Sequence, residues 1–196
     1  MEGRGNALLA RAEAETTLGV SPWSGVESPV LIRPAGPADL DAVLALNQAE
    51  LPHVSALTRP GLERLTRLAS SLRVAEAADG ALAGFLLAMT HDAEYESPNF
   101  RWFQSRHPSF HYVDRIIVSP LHRRTGVASA LYRDLEAIAL RAGVALLTCE
   151  VNVRPPNPGS HVFHARLGFV EAGTQDTERG TKTVVLYVKT LTPPIG

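Results

Sequence analysis

Residues 113–132 read Val-Asp-Arg-Ile-Ile-Val-Ser-Pro-Leu-His-Arg-Arg-Thr-Gly-Val-Ala-Ser-Ala-Leu-Tyr, an apolar strand, a short basic turn and the start of an amphipathic helix. Such a turn suits a pyrophosphate. Across Arg123, Arg124, Thr125, Gly126, Val127, Ala128 and Ser129, successive backbone N–H groups meet at a helix N-terminus, where free donors and the helix dipole favour an anion. Gly126 and Ala128 keep the backbone approachable, and two arginines add charge. A carboxylate, Asp114, lies just upstream, with Tyr112 two positions before it. On a regular strand Tyr112, Asp114, Ile116 and Val118 share one face, and Val113, Arg115 and Ile117 the other. From that face Asp114 can hold an ammonium group and take its proton; the alternative is an ion pair with a nearby arginine.

The segment from His91 to His111 has no apolar periodicity and carries Pro98 and Pro108, and a connection of that length in a compact domain usually has a task. Glu94, Tyr95, Glu96, Asn99, Phe100, Trp102, Phe103 and Phe110 crowd into it. This composition suits a cover over an amine, with aromatics excluding water and a carboxylate pairing the cation. Asn99, Trp102 and Phe103, with Glu150 further along, are the expected contacts to such an amine. A loop that packs its aromatics on the sheet or on a second subunit would have the same composition.

The turn fits R/Q-x-x-G-x-G/A as Arg123-x-x-Gly126-x-Ala128, and here the chain resembles the GNAT superfamily of acyl-CoA-dependent N-acyltransferases. A second block, Asn157-Pro-Gly-Ser-His-Val-Phe-His-Ala-Arg-Leu-Gly-Phe169, resembles that superfamily's later N-x-x-[AS]-x-x-[FL]-Y-x-x-x-G-F segment at its usual distance downstream. Ser97–Phe103, Cys149–Asn152 and Pro155–Pro158 further resemble a little-characterised bacterial branch. The resemblance implies an acetyl-CoA-dependent N-acetyltransferase acting on a small amine or amino-acid-like metabolite. It implies that the main chain at Ile116, Ile117 and Val118 binds pantetheine, that Asn157 and Ser160 adjoin it or cap a helix, and that Asp114 and Tyr112 face the acceptor. His164 stands where many relatives carry a tyrosine that protonates the thiolate. An imidazole, with a reference pKa of ~6.5, can replace that acid, only hydrogen-bond the sulfur, or be a plain helix residue facing a neighbour. The other readings are a non-catalytic acyl-CoA sensor, a protein amine as acceptor, and an unusual acyl donor. Relatives often dimerise, so a homodimer is compatible with the resemblance.

The elements that must position these groups are legible in outline. A strand is expected at 30–33, helices at 38–49 and 61–70, strands at 72–76 and 82–89 joined across Asp79-Gly80, a strand at 111–118, a helix at 126–142, a strand at 144–151, a helix at 159–166, and strands at 169–175 and 182–189. By resemblance this is an α/β fold, a mixed and mostly antiparallel sheet with splayed central strands flanked by helices. Residues 1–28 differ in composition and are read as an N-terminal appendage, with 29–196 the acyltransferase domain.

The 196 residues suffice for one such core, and a net charge of −1 gives no overall field drawing the chain to nucleic acid or an anionic membrane. One cysteine, Cys149 in an apolar run, excludes an intrachain disulfide and suits a reducing cytoplasm. The seven histidines show no metal-ligand spacing, and no apolar run approaches a membrane span.

Overall fold

A computed structural model describes residues 30–192; the appendage expected over 1–28 lies outside them. The chain forms β1 (Val30–Pro34), α1 (Leu40–Ala49), α2 (Arg59–Leu68), β2 (Ser71–Ala77), β3 (Leu82–Thr90), α3 (Pro98–Gln104), β4 (His111–Val118), α4 (Val127–Arg141), β5 (Leu146–Arg154), α5 (Pro158–Arg166), β6 (Val170–Thr177) and β7 (Lys182–Thr190). The strands make one sheet in the order β1-β2-β3-β4-β5-β7-β6. Every neighbouring pair is antiparallel except β4 and β5, which α4 connects as a crossover.

That parallel pair is short. Only His111, Tyr112 and Val113 pair with Leu147, Thr148 and Cys149, and beyond them the strands separate. Helices line the sheet on both faces. Val127, Leu131, Leu135 and Ala139 recur at four-residue steps and bury one stripe of α4 against Ala75, Leu86, Ala88 and Val113. Leu131 and Leu135 are fully buried, each worth about 2 kcal/mol by area. On the opposite face α1 and α2 pack Leu40, Val43 and Leu62 on Val74, Phe85 and Ile117. No helix among the described residues is long and apolar enough to cross a membrane.

Two expectations are corrected. The aperiodic segment before β4 contains a helix, α3, started by Ser97, whose side chain accepts from the Phe100 N–H, and by Pro98 in its first turn. Its Phe100 and Phe103 are core, packed with Leu87, Met89, Tyr112 and Leu186, while Trp102 lies so close over Gly173 that a Cβ there would come within 2.9 Å of the indole. The strand parity of β4 also breaks. Leu87 pairs with Arg115 and the next residue, Ala88, with Val113, so Asp114 is an extra, bulged residue. In consequence Tyr112, Arg115 and Ile117 face α1, α2 and α3, whereas Val113, Ile116 and Val118 face the α4 cluster.

Candidate active site

Two adjoining depressions meet the divided edge of the sheet. The smaller one is lined by Val118, His122, Arg123, Arg124, Gly126, Val127, Ala128, Ser129, Phe163 and Arg166. Here α4 begins, and its first intrahelical bond runs from the Ala130 N–H to the Gly126 carbonyl, so the Val127, Ala128 and Ser129 amides precede the ladder. Arg124 and Gly126 both take positive φ, 64° and 88°, which curls the turn into a concave row of N–H donors. A Cβ on Gly126 would meet nothing within 4 Å, so that space is open. The Thr125 hydroxyl closes the turn by donating to the His122 carbonyl at 2.7 Å. Arg123 shares its charge with Glu50 at the end of α1, whereas Arg124 has no ion-pair partner among the described residues. Arg166, two residues before Gly168, adds a cation that the motif pattern did not single out. The unpaired amides, the open face and the cations all fit a pyrophosphate group.

The larger cleft, about 470 Å³, passes through the gap between β4 and β5. Asp114, Ile116, Ile117, Asn99, Glu150, Asn157, Ser160 and His164 all line it. Past Val113 the β4 edge has no β5 partner, so its main chain near Ile116 and Val118 is available to an extended ligand. Asn157 caps α5, its side chain accepting from the Ser160 N–H at 3.3 Å.

The two carboxylates at the gap differ. Asp114 accepts from Tyr95 Oη at 2.5 Å and from Arg115 Nε at 2.6 Å, and both members of the ion pair are nearly buried. Arg115 in turn donates from Nη1 to Asn47 Oδ1 at 2.7 Å. Of the two sequence readings of Asp114, the ion pair is the one observed. Among the described residues Glu150 has no ion-pair partner. Tyr112 Oη donates to Glu150 Oε2 at 2.7 Å, and the Asn99 carbonyl oxygen accepts from Gln175 at 2.9 Å, turning the Asn99 amide nitrogen to other acceptors. Desolvation pushes the Glu150 carboxyl up to about 7, against the opposing pull of the Tyr112 and Asn99 hydrogen bonds and the Lys182 charge. Tyr112 is fully buried and reaches the cleft only through Glu150.

Of the three sequence readings of His164, the geometry matches the helix histidine that faces a neighbour. The Ser160 carbonyl lies 2.8 Å from Nδ1, and since a carbonyl only accepts, Nδ1 carries the hydrogen. Nε2 is then an acceptor, and the Tyr132 hydroxyl donates to it at 2.8 Å. Burial lowers the imidazole to about 4, so at neutral pH it has no proton on the nitrogen facing Tyr132. Sequence reading missed Tyr132 because it falls in the apolar stripe of α4. Trp102 and Phe103, expected at the acceptor, instead anchor α3: Trp102 sits against Gly173 and under the Arg106 guanidinium at 4.0 Å, and Phe103 is fully buried.

A sheet split between β4 and β5, with an open cationic turn at the start of the crossover helix, is what the resemblance to acyl-CoA-dependent acyltransferases implies. The sequence profile described as "Acetyltransferase (GNAT) family" matches residues 42–169, and the chain belongs to that family. Comparison with curated proteins gives no match. Among solved structures, Ard1 from Thermoplasma volcanium superposes with a TM-score of 0.69 at 18% identity, covering 84% of this chain and 99% of Ard1. The ribosomal-protein-S18-alanine N-acetyltransferase from Escherichia coli gives 0.63 at 18% identity, over 85% of this chain and 96% of its own. YncA from Salmonella typhimurium, solved with its cofactor acetyl-CoA, gives 0.62 at 18% identity, over 85% and 96%. At these identities the likeness is one of fold.

Proposed function

We propose that the protein transfers an acetyl group from acetyl-CoA to the primary amine of a small, amino-acid-like acceptor, with Glu150 as the base. The observation that carries this is the Glu150 carboxyl, raised to about 7 and set in the cleft where β4 and β5 part. A base poised near working pH takes an ammonium proton without being permanently neutral. Acetyl-CoA, when bound, supplies an activated acyl carbon; the turn from Arg123 to Ser129 with Arg166 would hold its pyrophosphate, and the free β4 edge its pantetheine. Tyr112 and Asn99 orient the Glu150 carboxylate. On the far side of the gap the Tyr132 hydroxyl lines the cleft with its one hydrogen already given to His164 Nε2. Burial raises that phenol well above its usual pKa, so it stays protonated and keeps its bond to His164.

The test is release of free thiol from acetyl-CoA with an amine panel, for wild type and Glu150→Gln. The variant should bind acetyl-CoA normally and lose about 10²-fold or more in kcat, the range for a general base. Equal turnover overturns the assignment of Glu150. A second reading, a protein amine as acceptor, draws on the fold shared with the S18-alanine enzyme; intact-protein mass analysis of treated lysates separates the two.

A further inference from the structure

The charged side chains of the larger cleft pair off unevenly. Asp114 is neutralised by Arg115 and Glu50 by Arg123. Glu178 approaches Lys182 only to 3.6 Å; its own side chain is 62% exposed, whereas that of Lys182 is 17% exposed. Among the described residues this leaves Glu150 and Arg64 of α2 lining the cleft without an ion-pair partner, and Lys182 with a loose one.

Both cations border one cleft. Side chains alternate along β7, so Lys182, Val184 and Leu186 share a face. Val184 and Leu186 belong to the same apolar cluster as Leu65, the neighbour of the exposed Arg64, and Arg64 and Lys182 both line the cleft. Glu150 is level with Leu186, four residues along from Lys182. That is ~13 Å between Cα atoms at strand spacing, which the long lysine side chain shortens considerably.

We propose that the acceptor carries a carboxylate a few atoms from its amine, and that Arg64 and Lys182 bind this carboxylate while Glu150 faces the amine. The inference rests on the acetyl-transfer reading and narrows its substrate class to amino acids and their close analogues. A guanidinium and an ammonium lining one cleft suit a planar carboxylate. A dianionic phosphate fits less well, because Glu178 already offsets part of the Lys182 charge. A peptide N-terminus fits less well too, since its first carbonyl is an uncharged amide.

The experiment uses matched pairs, each of the common L-amino acids against its decarboxylated amine, scored both by thiol release and by calorimetric binding in the presence of coenzyme A. The expected result is at least one pair in which the acid is preferred 10-fold or more in kcat/KM. Arg64→Ala and Lys182→Ala should each shrink that preference about 10-fold, mainly through the KM of the acid, and Arg64→Glu should invert it. Turnover of the amines as fast as the acids, or variants that slow both members of a pair alike, would overturn the carboxylate site while leaving acetyl transfer intact. Silence of every pair in binding and turnover overturns it too. Binding of acids that depends on Arg64 and Lys182 without any thiol release would instead uphold the site and sink the acetyl-transfer reading.

Discussion

The Tyr132 hydroxyl on α4 donates to Nε2 of His164 on α5 at 2.8 Å, tying together the two helices that flank the divided edge of the sheet. His164 is thereby a hydrogen-bond acceptor held neutral by burial. Its substitution should be read first as a loss of structure.

His164→Ala should cost about 2–4 kcal/mol, since it opens a cavity and strands a buried hydroxyl. Its pH signature is separable. The folded pKa of about 4 lies below the ordinary histidine value of 6.5, so His164 contributes stability that is complete above 6.5 and lost as pH falls towards 4. Denaturant melts across that window should show a shallower acid loss in the variant. Turnover per folded molecule should fall less than 10-fold, and a loss of 10²-fold with unchanged stability would restore His164 as an acid.

Asp114 gives a second contrast. Asp114→Asn leaves the buried Arg115 guanidinium without its counter-ion, and breaking such a pair costs about 3–5 kcal/mol. Tyr95→Phe removes only one hydrogen bond to the same carboxylate and should cost about 1 kcal/mol. Equilibrium urea unfolding measures both. An Asp114→Asn protein as stable as wild type but inactive would return the base role to Asp114.

Why the sequence pointed to Asp114 and passed over the true surroundings of Glu150 is a matter of periodicity. Tyr112, Asp114, Ile116 and Val118 keep a clean two-residue alternation, and nothing in those side chains marks the one extra residue that the pairing with β3 accommodates. The bulge transfers Ile116 and Val118 to the α4 side and leaves Asp114 to Arg115. Glu150 was legible as an acceptor contact but not as a base, because its partners arrive from β4 and from α3. That helix escaped notice because seven residues carry too few turns to show a period, although Ser97-Pro98 is a start signal in hindsight. By contrast the strand, turn and helix around Gly126 were readable, since each signal there is local: an apolar run, a glycine that must take positive φ, and a four-residue apolar repeat.

That turn yields a third expectation. Gly126→Ala places a Cβ in the open space over the α4 amides and forces alanine into left-handed backbone, costing about 1–2 kcal/mol. Arg124→Gly relieves left-handed backbone strain two residues earlier but removes a cation. In calorimetric titration with acetyl-CoA the first variant should bind at least 10-fold more weakly. The second should lose affinity despite equal or greater thermal stability. Unchanged affinity in both would remove the turn from the cofactor site.

The last expectation concerns the pH dependence that Glu150 imposes on both rate and stability, which run in opposite directions. As the base, Glu150 must be ionised, so kcat/KM on a working acceptor should rise through about pH 7 and level off above it, provided the acceptor amine titrates higher. Stability should do the reverse. The folded pKa of about 7 exceeds the ordinary glutamate value of 4.5, so the folded state binds more protons than the unfolded chain between these values. Folding free energy therefore weakens as pH rises from 4.5 to 7 and is constant above, by up to about 3 kcal/mol for a shift of this size. Glu150→Gln keeps a group that Tyr112 can donate to but cannot ionise, so it should lose the rate and gain stability at pH 8, with little gain at pH 4.5. Melting temperatures of both proteins across that range, alongside the pH–rate profile of the wild type, check the two halves independently. A variant no more stable than wild type at pH 8 would mean that Glu150 ionises at an ordinary carboxylate pKa, and a rate that is flat from pH 6 to 8 would place the base elsewhere.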